Sequence, residues 1–123
     1  MKTALKNESR TMRVNMFFLQ KVTDIINQNI SDPSLSPSSI AKELNMSVSQ
    51  LNRKINKATG YSTNAYIIQL KVNHAKKQLV RFDKNIGEIA KNCGFIDLAY
   101  FSRTFKRHTG VTPSYYRNFV QGT

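Results

Sequence analysis

The chain has 123 residues, 40% of them hydrophobic, and sets 19 Lys and Arg against 7 Asp and Glu, a net charge of +12 at pH 7. That length holds one ordinary domain or two very small ones, with no room for an enzyme carrying a separate cofactor domain, and the hydrophobic fraction is too high for a disordered basic tail. A single cysteine excludes an internal disulfide framework, no apolar run reaches the roughly 18 residues of a membrane span, and the first 13 residues lack the apolar middle of a signal peptide, so the expected setting is cytoplasmic. Such a charge attracts polyanions, nucleic acid before anionic membrane.

In chain order, Met1 to Arg13 is polar and basic without an apolar period, which predicts a flexible lead-in over residues 1–14. Phe18, Leu19, Val22, Ile25, Ile26 and Ile30 then recur at three- and four-residue steps, the buried stripe of a helix stopped by Asp32-Pro33. Ser36 before Pro37 reads as an N-cap with proline at the first helical position, opening a short helix through Ile40, Ala41 and Leu44. Ile68, Val72, Ala75 and Leu79 define a further amphipathic helix. Val and Ile occur only at helical spacing, so the fold class is all-α.

The two halves repeat one unit. Ile40-Ala41-Lys42 recurs as Ile89-Ala90-Lys91 at an offset of 49, and Leu51, Arg53, Thr59, Gly60 and Tyr66 recur as Phe101, Arg103, Thr109, Gly110 and Tyr116 at an offset of 50. Each unit predicts a short helix, a tight turn and a second helix. Asn45 and Gly94 occupy the turns, the residue types that most readily turn left-handed at a helix end. Ser47-Val48-Ser49-Gln50 is a capping box with Met46 placed to staple onto Leu51; Asp97 is the second cap, with Ile96 placed to staple onto Phe101. The predicted organisation is two helix-turn-helix subdomains, residues 15–64 and 83–123, joined by a linker helix over 65–82. Lys71, Lys76, Lys77 and Arg81 on that linker are placed to reach phosphates.

The second helix of each unit has a core stripe and an outward face. In the first, Leu51, Ile55 and Ala58 form the stripe, leaving Ser49, Asn52, Arg53 and Asn56 together on another face. Arg offers a bidentate fork to guanine and Asn pairs bidentately with adenine, so these residue types suit base edges in a major groove. In the second, Phe101 and Phe105 form the stripe, and Ala99, Ser102, Arg103 and Lys106 face outward.

With Ile86, Ile89-Ala90, Gly94-Phe95, Asp97, Tyr100-Phe101-Ser102-Arg103, Phe105-Lys106, Gly110, Thr112-Pro113 and Tyr116-Arg117, the chain resembles the DNA-binding domain of the AraC/XylS family of bacterial transcription regulators, from about Phe18 to Phe119. The resemblance implies double-stranded DNA as partner, with both recognition helices in successive major grooves, and RNA polymerase as a further partner. Together with that resemblance, the residues expected to meet DNA are Ser49, Gln50, Asn52, Arg53 and Asn56 in the first unit and Leu98, Ala99, Tyr100, Ser102, Arg103 and Lys106 in the second. Two positions depart from the family pattern: Thr63 stands where a proline is usual, and Lys71 stands where the linker usually has arginine. Residues 18–31 are similar to the C-terminal output module of hybrid two-component regulators, which implies a fragment whose sensor or dimerisation domain lies in other sequence.

Other classes fit less well. The chain has no Gly-rich phosphate loop and no nucleophile motif, and His74 and His108 lack the spacing of a metal pair, so no enzymatic activity, cofactor or metal is expected. Cys93, matching Leu44, reads as a small core hydrophobe. A membrane-surface protein would line its charges along one long amphipathic helix. An RNA reader would need exposed aromatics, whereas Phe and Tyr here are expected mostly on core stripes. The rival reading is a helix-turn-helix pair used for protein contacts or for non-specific DNA binding.

Overall fold

The computed structural model describes residues 2–81 and 83–122, without the side chains of residues 2–9 and 11. Among the described residues there are seven α-helices and no strand: α1 (Lys2–Gln28), α2 (Pro37–Glu43), α3 (Val48–Thr59), α4 (Thr63–Arg81), α5 (Ile86–Asn92), α6 (Leu98–Thr109) and α7 (Pro113–Gln121). The chain groups into two compact units, Met1–Gln28 with Ser36–Tyr66, and Asn29–Leu35 with Ile67–Thr123.

In the first unit, Val22 and Ile26 of α1 are fully buried together with Ile40 of α2 and Leu51 and Ile55 of α3. The helix ends are closed by local chemistry. The Ser36 side chain accepts from the Ser39 N–H while Ser39 Oγ accepts from the Ser36 N–H, with Pro37 in the first turn. Ser47 and Gln50 make the same reciprocal pair at the start of α3, and Gly60 closes its end in the left-handed conformation. Each such cap is worth about 1 kcal/mol. Asn45 turns the chain between α2 and α3 at φ 54°. Thr23 Oγ1 lies 2.8 Å from the Tyr66 hydroxyl, tying α1 to the first turn of α4.

In the second unit, Val72, Ala75 and Leu79 of α4 pack with Ile89, Ala90 and Cys93, and with Phe95, Phe101 and Phe105. Its aromatic rings form a chain: Phe95 to Phe101 at 4.9 Å, Phe101 to Phe105 at 5.7 Å and Phe105 to Tyr116 at 5.5 Å between centroids. Asn85 caps α5 and Asp97 caps α6, each accepting from the N–H three residues on. Gly94 takes the turn at φ 79°, and a Cβ there would run into the Ile30 carbonyl oxygen, because residues 29–35 pack into this unit. Asp32 Oδ1 holds that segment's turn by accepting from the Ser34 N–H and hydroxyl at 2.9 and 2.7 Å.

Several expectations are corrected. Residues 2–14 are not a loose lead-in but the first half of α1. No Gly or Pro interrupts the run from Lys2 to Gln28, so nothing in the sequence stops the helix that buries Val22 and Ile26 from continuing toward its N-terminus. One helix, α4 (Thr63–Arg81), runs over the stretch expected as a linker, 65–82, and the grouping into two units divides within it, between Tyr66 and Ile67; residue 82 lies outside the described residues. Ala58 is exposed instead of continuing the α3 core stripe. Thr59 takes the inner side, its hydroxyl donating to the Ile55 carbonyl at 2.7 Å and accepting from the Tyr61 N–H at 3.0 Å, which turns the chain out of the helix. Ile96 is 84% exposed and staples nothing. Phe95, 5% exposed, takes the place on Phe101 instead.

Candidate nucleic-acid interface

α3 and α6 are built alike, 12 residues each, with an N-cap at one end and a left-handed glycine at the other. Burial of Leu51 and Ile55 on α3 and of Phe101, Thr104 and Phe105 on α6 fixes which face of each helix is turned away from solvent. Ser49, Gln50, Arg53 and Asn56 are exposed on α3, with Asn52 half-buried; Leu98, Ala99, Tyr100, Arg103 and Lys106 are exposed on α6, with Ser102 half-buried. The structure thus brings the expected residues of each unit onto one helix.

They are not equally free. The Gln50 side-chain oxygen accepts from the Ser47 N–H at 3.0 Å, so its carbonyl end serves the cap. Asn52 Oδ1 accepts from the Thr63 N–H at 3.3 Å. Tyr100 leans on the core through Phe95, with ring centroids 5.9 Å apart, and Leu98 leaves 49% of its surface to solvent. The first unit therefore offers a fork and amides, and the second offers a fork beside apolar surface. Such surface suits thymine methyls, while Arg103 and Lys106 suit guanine or phosphate.

The basic residues of α4 divide. Lys77 and Arg81 are exposed. Lys71, expected to reach phosphates, is half-buried and donates to the Gly94 carbonyl at 3.2 Å, with its ammonium 5.6 Å from the Phe95 ring centroid. Burial pushes its pKa down, opposed by Cys93 in its thiolate form and by the Asp32 carboxylate. A lysine thus supplies a single bond to a carbonyl oxygen where an arginine would present a fork. The neighbouring Cys93 is fully buried, and burial raises its thiol to about 11, with the Lys71 charge opposing, so the thiol stays protonated at neutral pH. Among the described residues no group of His, Cys, Asp and Glu is placed to hold a metal ion, and no helix is long and apolar enough to cross a membrane.

Two features escaped the sequence reading. The Asn52–Thr63 contact joins residues 11 apart, and its only signal was the mismatch of Thr63 with Pro113 at the repeat offset. The aromatics are also less confined to the cores than expected: Phe17, Tyr61, Tyr115 and Phe119 are exposed, and Tyr115 stacks on Phe119 at 6.4 Å. The ground for setting RNA aside by missing aromatics is thereby removed.

Residues 40–118 match a family model described as a helix-turn-helix domain. A transcriptional activator of Rhodococcus, NphR, is 31% identical over 80% of this chain. The C-terminal domain of AraT, a response regulator of Geobacillus stearothermophilus, is 30% identical with a TM-score of 0.78 over 81% of this chain and 83% of that one. The DNA-binding domain of the global transcriptional factor AdpA, solved with a target DNA, shares the fold at a TM-score of 0.79 and 23% identity over 85% of this chain and 93% of that one. This chain spans 29% of the length of NphR, and between 24% and 45% of the other curated relatives compared.

Proposed function

The chain belongs to the AraC-type helix-turn-helix family, and on that premise we propose that it binds duplex DNA sequence-specifically, α3 and α6 entering successive major grooves, to regulate transcription. The observation that carries this reading is the doubled face. Arg53 and Arg103 stand exposed at the same place on two helices of equal length, each fixed by its own cap and by two or three buried side chains. Arginine at that place reaches base edges bidentately, and the net charge of +12 supplies the phosphate attraction that holds register. The domain acts as the output of a longer regulator, with the sensing part and the contact to RNA polymerase as further elements of this proposal.

Two unlike units in one chain recognise two unlike half-sites, with centres about 10 base pairs apart and no need for palindromy. Selection from a random duplex pool yields such a site. Inserting five base pairs between the halves, about half a helical turn, carries one groove to the far side of the duplex and drops binding toward the non-specific level, roughly 10³-fold or more below. Undiminished binding to the lengthened site removes the two-groove reading and leaves the second unit as a support.

A further inference from the structure

We propose that Thr63 is a positioning residue for Asn52, holding that side chain as a donor toward base acceptors instead of a two-ended reader of adenine. The inference rests on α3 entering a groove. The Thr63 N–H donates to Asn52 Oδ1 at 3.3 Å across the turn from α3 to α4. A backbone N–H only donates, so the atom facing it is the oxygen, which settles the orientation of the amide. The Nδ2 end of Asn52 has no hydrogen-bond partner among the described residues. Bidentate recognition of adenine needs both ends of the amide, the oxygen accepting from N6 and the nitrogen donating to N7. With the oxygen directed to Thr63, the donor end remains; it suits guanine O6 and N7 or thymine O4, whereas at adenine it finds only N7 and leaves the N6 amino group without the acceptor it needs.

The polar group of Thr63 that acts here is its N–H and not its hydroxyl. Thr63 is fully buried, and its Oγ1 has no hydrogen-bond partner among the described residues. Ser62 Oγ accepts from the Ala65 N–H, so Thr63 stands at the first position of α4, where proline is well tolerated. The second unit has a proline there: Thr112 accepts from the Tyr115 N–H and Pro113 follows. Pro113 has no N–H to offer, and Ser102, which matches Asn52, carries no such restraint from it. The coupling between recognition helix and following helix therefore belongs to the first unit.

Base selection from a random duplex pool tests this with four proteins. Asn52→Ala identifies the base pair that Asn52 governs. The parent and Thr63→Val, which keeps the N–H, select guanine or thymine on the contacted strand at that pair. Thr63→Pro removes the N–H and moves the preference toward adenine, by about tenfold. The same choice by Thr63→Pro and the parent overturns the proposal, as does a shift in Thr63→Val equal to that in Thr63→Pro. Amide hydrogen exchange gives a readout without DNA: the Thr63 amide exchanges at least about tenfold faster in Asn52→Ala than in the parent. An unchanged rate overturns the proposal even if Thr63→Pro does not fold. A pool in which the parent enriches no sequence defeats the groove reading itself, whereas an enriched motif indifferent to both Asn52→Ala and Thr63→Pro defeats only the positioning role.

Discussion

The two units share a repeated sequence but complete their cores differently. The first closes an aliphatic core, Ile40, Leu51 and Ile55, against Val22 and Ile26 of α1; the second closes an aromatic one, Phe95, Phe101 and Phe105, against Val72, Ala75 and Leu79 of α4. In both, the helix-turn-helix motif is too small to bury its own apolar stripe, and a helix preceding the motif supplies the missing wall. Val22 and Val72, both fully buried, stand 50 residues apart, the offset found for the second helix of the motif and one more than that of its first. The repeated unit is thus larger than its motif. α4 serves twice, its first turn following the first motif as α7 follows the second, and its remainder preceding the second motif as α1 precedes the first.

The sharpest contrast is at the turn within each motif, where Asn45 and Gly94 share a left-handed backbone but not a neighbourhood. Gly94→Ala meets both the φ penalty and the Ile30 carbonyl, and is expected to cost about 3 kcal/mol or more in denaturant titration. Asn45→Ala meets only the difference between two side chains in that region, about 1 kcal/mol. Equal losses at the two turns would mean that residues 29–35 do not press on Gly94 in solution.

What was legible from the residues is what short range decides. Ser36, Ser47, Asp97, Asn45 and Gly94 announce helix ends because each bonds or turns within three residues of itself. The buried faces of α3 and α6 followed from periodicity, which is why the expected site residues of each unit share one helix. What was illegible needed three dimensions. Ile96 stands directly ahead of its cap as Met46 does, but it is the residue by which the second repeat is longer: the Phe95 N–H bonds the Ala90 carbonyl as that of Met46 bonds Ala41, and Phe95 takes the buried place while Ile96 is turned out. Lys71 belongs to an exposed-looking basic run, yet the chain folds its ammonium onto the Gly94 carbonyl. Residues 2–14 carry no apolar period, and the helix they form is the continuation of α1, which no Gly or Pro interrupts.

The second contrast lies on the outward faces of α3 and α6, which we propose as the recognition faces. Arg53 is accompanied by Ser49, Asn52 and Asn56, all able to bond base edges, whereas Arg103 is accompanied by the apolar Leu98 and Ala99 as well as by Ser102 and Lys106. Arg53→Ala is expected to cost about 1 to 3 kcal/mol on a selected site and to relax the choice at one base pair. Arg103→Ala is expected to relax its own base pair less sharply than Arg53→Ala does, because fewer polar neighbours add to the choice there. Titration of both variants against a selected site and a scrambled one checks this, and relaxation of one base pair by Arg103→Ala alone reverses the assignment of the sharper reader.

The smallest effect isolates the staple. A hydrophobic residue ahead of an N-cap contributes only if it is covered by the residue four places into the helix. Met46 is half-buried ahead of Ser47, and Leu51 behind it is fully buried; Ile96 is 84% exposed ahead of Asp97, although Phe101 is fully buried. Met46→Ser therefore removes covered apolar surface, at about 1 kcal/mol, while Ile96→Ser stays within about 0.5 kcal/mol of the parent in the same denaturant titration. The sign of any Ile96→Ser effect on DNA binding is a separate readout, because its side chain precedes α6 on the solvent side and contributes nothing to the fold that its loss would disturb. A loss of stability from Ile96→Ser as large as that from Met46→Ser would show that the second staple forms in solution, with Phe95 sharing Phe101 rather than displacing Ile96 from it.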